Sequence, residues 1–485
     1  MTVKIVKIVI WALLIFMLTG CAKAENNGNA RNENTDTNNS VKEPDDSGST
    51  TINNGETDTE NQLQEVSGKS GLNSNSPAEF IVATDIHYFS KDLIEDGPLF
   101  QRMLVSGDGK QVNYITEITD AFLEEVINIH PTGLILSGDL TFNGEKKSHE
   151  ELGEKLKKVS DAGIPVFVIP GNHDLNNYYA GRYTNDSIVE VENTSPEDFR
   201  RIYGSFGLNG AIYKDEKTLS YVSEVTKEVW LFMLDTNRYE FNNKSYPSEP
   251  SGIIGRETFA WLEKCLKEAV VKGVTPVVVM HHNLLKHNEK LYYGFTLDGY
   301  QDVVDLFHKY KVKINLSGHI HMQSIVSDET QDNTVYDIVT SALSVYTNQY
   351  GVLDIIPGVQ AAYYTRPVNL EQYAKEKGLD DGNLLNFEEY SYKFFTTASR
   401  NKIMEKLKDK DISEEDKEIM ADFADKVNAN YFSGTIKNIQ GELLKSEGYK
   451  LWVKFSDDTL NGYITRIVEE PAKDETRVTI SLGKE

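Results

Sequence analysis

The 485-residue chain has only two cysteines, Cys21 and Cys265. Two thiols cannot build a disulfide framework, so the fold must rest on an apolar core. Cys265 falls in a helical pattern with Trp261, Leu262 and Leu266, which gives its thiol a buried packing role. Positive charge is also short. There are 50 Lys+Arg against 75 Asp+Glu, a net charge of −25. Such a surface repels a phosphate backbone and excludes a non-specific binder of nucleic-acid polymers. Small anionic substrates are not excluded, because bound cations reverse the sign locally. Residues 8–18 form an unbroken apolar run of only 11 residues, too short to cross ~30 Å of hydrocarbon comfortably. Residues 22–77 lack aromatics altogether, and no internal repeat is present.

The short apolar run has a meaning of its own. Lys4 and Lys7 precede it, and it ends in Leu18-Thr19-Gly20-Cys21. A positive start, a short apolar stretch and small residues before a cysteine resemble a lipoprotein signal peptide with its lipobox. The resemblance implies that residues 1–21 end in a lipid-modified Cys21, which would anchor the chain to the extracytoplasmic face of a cell membrane. An ordinary secretory signal or a short anchor are the alternatives. Residues 22–77 are rich in Asn, Glu, Asp, Thr, Ser and Gly. Such a segment cannot bury enough apolar surface to offset its ordering entropy, and it reads as a disordered tether.

From Glu79 the texture changes. Apolar runs end in chemically loaded residues: 80–84 before Asp85, 134–136 before Ser137-Gly138-Asp139, 165–169 before Gly171-Asn172-His173-Asp174, 229–234 before Asp235, 276–280 before His281-His282, and 312–316 before Ser317-Gly318-His319. Runs of this length and β-branched content predict strands buried on both faces. Helical spacing separates them at 115–129, 150–162, 257–271 and 301–310. The alternation predicts an α/β domain, with ligands collecting beyond the carboxyl ends of the strands. Residues 335–339 and 350–355 read as finishing strands. Helices then dominate at 387–407, at 413–429 with a capping start at Ser413 and Asp416, and at 436–446. The tail at 477–482 alternates like a strand. The expected division is a catalytic domain at 78–365 and a mainly helical unit at 366–485.

Five motifs in order, Asp85-x-His87, Gly138-Asp139, Gly171-Asn172-His173-Asp174, His281 and Gly318-His319-x-His321, resemble the calcineurin-like metallophosphoesterase superfamily over residues 78–356. The resemblance implies a sandwich of two β-sheets flanked by helices and a centre of two divalent ions, Mn or Fe foremost, with Zn as the alternative. It assigns Asp85, His87, Asp139 and His321 to one ion, and Asp139, Asn172, His281 and His319 to the other. Mixed carboxylate and imidazole donors suit such metals, and a pair of them ~3.5–4 Å apart needs a shared carboxylate. By the same resemblance a metal-bridging hydroxide attacks phosphorus while His173 protonates the leaving oxygen. Asp174 either orients His173 or caps the next turn. His282 either contacts substrate or stands behind His281, and the two could exchange roles. Asn143 is either a phosphate contact or a turn residue before Gly144.

The serine/threonine protein phosphatase branch carries an arginine clamp in the stretch after Gly138-Asp139. Residues 140–145 here, Leu-Thr-Phe-Asn-Gly-Glu, contain no cation and resemble the class III cyclic nucleotide phosphodiesterase branch. Small phosphodiesters are therefore the expected substrates. A phosphomonoesterase or nucleotide pyrophosphatase, and a non-catalytic solute-binding lipoprotein, are the alternatives. The remaining groups carry blander expectations: surface positions for His130, His149 and His308, a turn role for Asp235, a position for His287 in the loop after His282 with substrate contact as the alternative, and core packing for Tyr88 and Phe89.

Overall fold

The computed structural model describes residues 77–289, 292–455 and 460–483. The signal-like segment, Cys21 and the tether lie outside the described residues. Two mixed sheets form the first domain. The six-stranded sheet runs Arg477–Ser481, Gln360–Pro367, Gln349–Ile356, Ala78–Ala83, Gly133–Ser137, Val166–Ile169. The seven-stranded sheet runs Ser324–Glu329, Thr334–Val339, Ile314–Ser317, Thr275–Met280, Val229–Leu234, Tyr221–Thr226, Tyr213–Lys214.

The strand side chains alternate between two cores, as a period of two requires. Phe80, Val82, Ile135, Phe167 and Ile169 of the first sheet meet Leu231, Met233, Val277, Val279, Ile314 and Leu316 of the second. Their neighbours Ile81, Ala83, Leu134, Leu136, Val166 and Val168 pack outward against helices Ile115–Ile129 and Lys146–Asp161. On the far side Trp230, Phe232, Val278 and Met280 pack under helices Arg256–Lys272 and Tyr300–Lys309. This is the sheet-on-sheet sandwich flanked by helices that the motif order implied.

Five strands end at one edge. Ala78–Ala83, Gly133–Ser137 and Val166–Ile169 are mutually parallel, and so are Thr275–Met280 and Ile314–Ser317. Parallel pairing delivers their carboxyl-terminal loops to the same place. Helices Phe387–Leu407, Glu414–Phe432, Ile436–Leu443, Glu447–Lys454 and Leu460–Glu469 form a second body with its own core around Phe423, Leu451, Trp452 and Ile464. It joins the sandwich through Phe395, Ala429 and Phe432 against Ile320, Met322, Ala342 and Val345. One boundary needs correction. The tail strand Arg477–Ser481 does not stay with the helices; it pairs antiparallel with Gln360–Pro367 and completes the first sheet. The helical unit is thus an insertion ahead of the last strand, and residues 366–485 are not a separate body.

Candidate active site

Each expected ligand sits on a loop that follows a strand, and the loops are locked to one another. Asp85 N donates to the Gly138 carbonyl and His87 N to the Asp139 carbonyl, both at 3.0 Å. Gly318 N donates to the His281 carbonyl at 3.0 Å, and Leu343 N to Thr84 O at 3.0 Å. Five of the ligand residues hold a left-handed backbone: Asp85, His87, Asp139, His319 and His321 have φ of 51°, 49°, 48°, 71° and 60°. Such a conformation costs on the order of 1–3 kcal/mol per non-glycine residue and persists only where surroundings enforce it. Gly171 is needed for approach: a Cβ there would collide with the backbone and carboxylate of Asp139.

Two groups of side chains result. Asp85, His87, Asp139 and His321 converge in one, and Asp139, His281 and His319 in the other; all are buried, and Asp139 belongs to both. Within the first, His321 Nε2 is 3.3 Å from Asp85 Oδ1 and 3.2 Å from His87 Nε2, and His87 Nε2 is 3.7 Å from Asp139 Oδ2. Within the second, His281 Nε2 is 3.4 Å from Asp139 Oδ1 and 3.1 Å from Asn172 Oδ1. Adjacent donors around an ion with ~2.1 Å bonds are themselves ~3–3.5 Å apart, so both groups have the right size. Asp85 Oδ1 is buried and has no hydrogen-bond donor, which is costly unless a cation faces it. The donor set therefore fits divalent cations, and Asp139 belongs to both groups of donors.

Neighbouring groups set the imidazole tautomers. His281 Nδ1 meets the Ser137 carbonyl at 2.9 Å, leaving Nε2 for the centre. His319 Nε2 meets Gly294 O at 2.9 Å, leaving Nδ1. Thr84 Oγ1 donates to Asp85 Oδ2 at 2.7 Å, and His319 N donates to the same oxygen at 2.9 Å. Burial pushes the Asp139 carboxyl up, but the His281 and His173 imidazoles outweigh it and hold it well below the carboxylate range. Burial lowers His281, but Asp139 overrides it and raises the imidazole to about 9. Burial and the adjacent His281 depress His319 to about 3.

His173 stands apart from the ligands. Its Nδ1 meets the Phe142 carbonyl at 2.8 Å and Asn143 Oδ1 at 3.2 Å, and its Nε2 lies 4.0 Å from Asp139 Oδ2. Nδ1 is thus fixed as the donor, and Nε2 faces the centre. Asn143 touches this ring from the turn that leads to Gly144, where φ is +72°.

Two readings change, for Asp174 and His149, and for His282 the substrate-contact alternative falls. Asp174 does not touch the His173 ring; its carboxylate accepts from Leu140 N, Thr141 N, Thr141 Oγ1 and Gly171 N, tying two strand-end loops together. Burial and the Asp139 charge nevertheless push its carboxyl up to about 7. His282 is not open to substrate. It is buried, with Nδ1 2.7 Å from Thr236 Oγ1 and Nε2 3.0 Å from Pro250 O, so both nitrogens are engaged. His149 is buried too, between Thr141 Oγ1 and Tyr203 OH at 2.9 Å each, because its helix turns that face to the core. His287 pairs with buried Asp337 at 3.1 Å. Asp235 is a buried organiser of its bend, accepting from Leu219 N, Asn237 and Tyr239. Phe89 packs on Phe142 and Tyr183, and Cys265 is buried, as read.

Asp337 and Asn283 carry structure that the motifs did not announce. Asn283 Nδ2 donates to Gly318 O at 2.8 Å, and Asp337 accepts from Leu285 N, Asn315 and Ser317. They bind the His281 loop to the His319 loop.

The two-sheet sandwich and the two buried His/Asp groups on its strand-end loops match the arrangement that the five motifs implied. Comparison with known proteins agrees. The family model for calcineurin-like phosphoesterases matches residues 78–323, and the chain belongs to that family. A second model, the C-terminal domain of cyclic nucleotide phosphodiesterase, matches residues 369–474. A protein of Coxiella burnetii named "probable cyclic nucleotide phosphodiesterase" is 24% identical over 195 residues, 40% of this chain and 62% of that one. A Bos taurus protein named serine/threonine-protein phosphatase is 23% identical over 264 residues, 53% of this chain and 72% of that one. Among solved structures, a dimetal phosphatase of Danio rerio covers 60% of this chain and 96% of its own, with 11% identity and a TM-score of 0.43. Calcineurin-like phosphoesterases use divalent metals, and the His/Asp cluster is placed to hold them.

Proposed function

We propose that the chain hydrolyses small phosphodiesters, cyclic nucleotides among them, with two divalent ions held by the residues above. The observation that carries this is the shared Asp139 between two ligand groups, with the free Nε2 of His173 facing it. Two bound cations would supply a reactive water and screen the phosphoryl oxygens. The protein's own part is positional. The strand-end loops fix the donors, the Phe142 carbonyl holds the Nδ1 proton of His173, and Nε2, protonated in the imidazolium form of the ring, gives its proton to the departing oxygen and leaves the neutral Nδ1–H tautomer. Asn143, against the same ring, is proposed to contact the ester. The absence of a cation from residues 140–145 and the match of 369–474 support diesters over phosphoproteins. Manganese or iron is the proposed pair.

The test is a panel on Mn²⁺-loaded protein: bis(p-nitrophenyl) phosphate, p-nitrophenyl phosphate and 3′,5′-cyclic nucleotides. Turnover of the diesters well above the monoester is expected. Preference for the monoester would establish a phosphomonoesterase, and binding without turnover a solute-binding protein. We also propose that Cys21 carries a lipid that holds the enzyme at the outer membrane face. Cys21→Ala is expected to release the protein from membranes; continued membrane retention would refute the anchor.

A further inference from the structure

A single carboxylate near the centre serves several positive groups. Asp108 Oδ2 lies 2.9 Å from Lys110 Nζ and 3.8 Å from Nδ1 of the ligand His321. The Lys402 ammonium acts on the same carboxylate. Lys110 is buried, with 7% of its surface exposed. Through Asp108 it stands beside the ligand His321, at the edge of the centre. Asp108 thus lies between Lys110 and His321, with Lys402 adding positive charge at longer range. A buried cation with only a fraction of a counter-charge is costly, and an arriving anion relieves that cost. In a chain of net charge −25 this is a local positive patch, and it lies beside the reacting centre.

The loop that carries Lys110 is seated by the helical unit. Gln111 Nε2 donates to Ser391 Oγ at 2.7 Å, Asn348 Nδ2 donates to Gln111 Oε1 at 2.9 Å, and Ser391 Oγ donates to Asn348 Oδ1 at 2.6 Å. Gly109, at φ +85°, lies against Phe395, whose ring would be 2.9 Å from any Cβ there. Lys402 Nζ donates to Gly107 O at 3.3 Å. Ser391, Phe395 and Lys402 all belong to helix Phe387–Leu407.

We propose that Lys110 binds a non-bridging phosphate oxygen of the substrate, and that helix Phe387–Leu407 holds its loop in place to do so. The helical unit thereby supplies, through another loop, the positive charge that residues 140–145 lack. The inference rests on the phosphoesterase reading and deepens it.

The test uses the Mn²⁺-loaded full chain and inorganic phosphate as probe, with affinity read by calorimetry and metal content measured alongside. A lost charge-assisted hydrogen bond corresponds to about 10–100-fold in affinity. Lys110→Gln is expected to weaken phosphate by that factor with metal retained, and Lys110→Arg to restore most of it. Phe395→Ala, which loosens the seat from outside the centre, is expected to weaken phosphate several-fold with metal retained. Phosphate affinity unchanged in Lys110→Gln would overturn the inference, as would loss of metal in place of loss of phosphate. Should Lys110→Gln fail to fold, unchanged phosphate affinity in Phe395→Ala would overturn it. Wild-type protein that neither binds phosphate nor turns over a diester would instead sink the phosphoesterase reading itself.

Discussion

The strand-end loops and the helical unit divide the labour of the molecule. The loops hold all seven metal-ligand candidates, five of them on backbone bent into a costly left-handed conformation, and neighbouring carbonyls lock the loops together. The helical unit has its own apolar core and contributes to the site from outside, through contacts to residues 107–111. Chemistry is thus concentrated where a rigid sandwich can enforce strain, and the second body acts at one remove. Substitutions in the two regions should differ in kind: loop changes remove metal or turnover, and helical changes remove stability or substrate affinity.

Asp139→Asn should have the largest effect. It removes the one carboxylate charge common to both ligand groups, so metal is lost and turnover falls to background, measured by metal analysis and diester assay. Retained metal and turnover would break the assignment of Asp139 as the bridge. His173→Ala follows. Metal content should stay, and turnover should drop by ~10²–10⁴, least for substrates whose leaving groups are already good. Equal loss on good and poor leaving groups would contradict proton donation.

Trp452→Ala probes the other region. The indole is buried and donates to Met420 O at 2.9 Å. Its removal should cost about 3–5 kcal/mol of stability and leave metal content intact below the melting transition. Loss of metal in still-folded protein would erase the proposed division.

Glu145 gives the smallest effect. Burial pushes this carboxyl up to about 8 from its ordinary 4.5. A group whose folded pKa is raised contributes stability that is fully present below its unfolded pKa and is lost as pH rises through the folded one. The window is therefore about pH 4.5–8. Glu145→Gln keeps an acceptor for Asn143 N and removes the buried charge, so its melting temperature relative to wild type should rise from pH 5 to pH 8.5. A difference that is flat across this window would show that Glu145 stays ionised.

Much of the first region was legible because physics repeats there. Each ligand follows a buried apolar run, so Asp85, Asp139, Asn172, His281 and His319 could be placed at strand ends from the sequence. Helices Ile115–Ile129 and Phe387–Leu407 were equally plain from their spacing. What failed was side-chain direction. Asp174 and His282 adjoin residues at the centre, yet Asp174 bonds backbone amides and His282 turns to Thr236 and Pro250. One residue of displacement along an irregular loop can reverse the facing, and no periodicity reports it. His149 looked exposed because its helix is mostly polar, and Arg477–Ser481 looked like part of the helical body because its partner strand lies more than a hundred residues earlier. Asp108 and Lys110 sit in a loop with no pattern at all; only the fold brings Asp108 to His321 and, through Gln111, the loop to Ser391.

The most direct test is the metal stoichiometry of purified wild-type protein beside Asp139→Asn, by inductively coupled plasma mass spectrometry. Two divalent ions per chain in the wild type and their loss in the variant are predicted. Full diester turnover by wild-type protein that carries no divalent metal would contradict a centre built around this shared carboxylate.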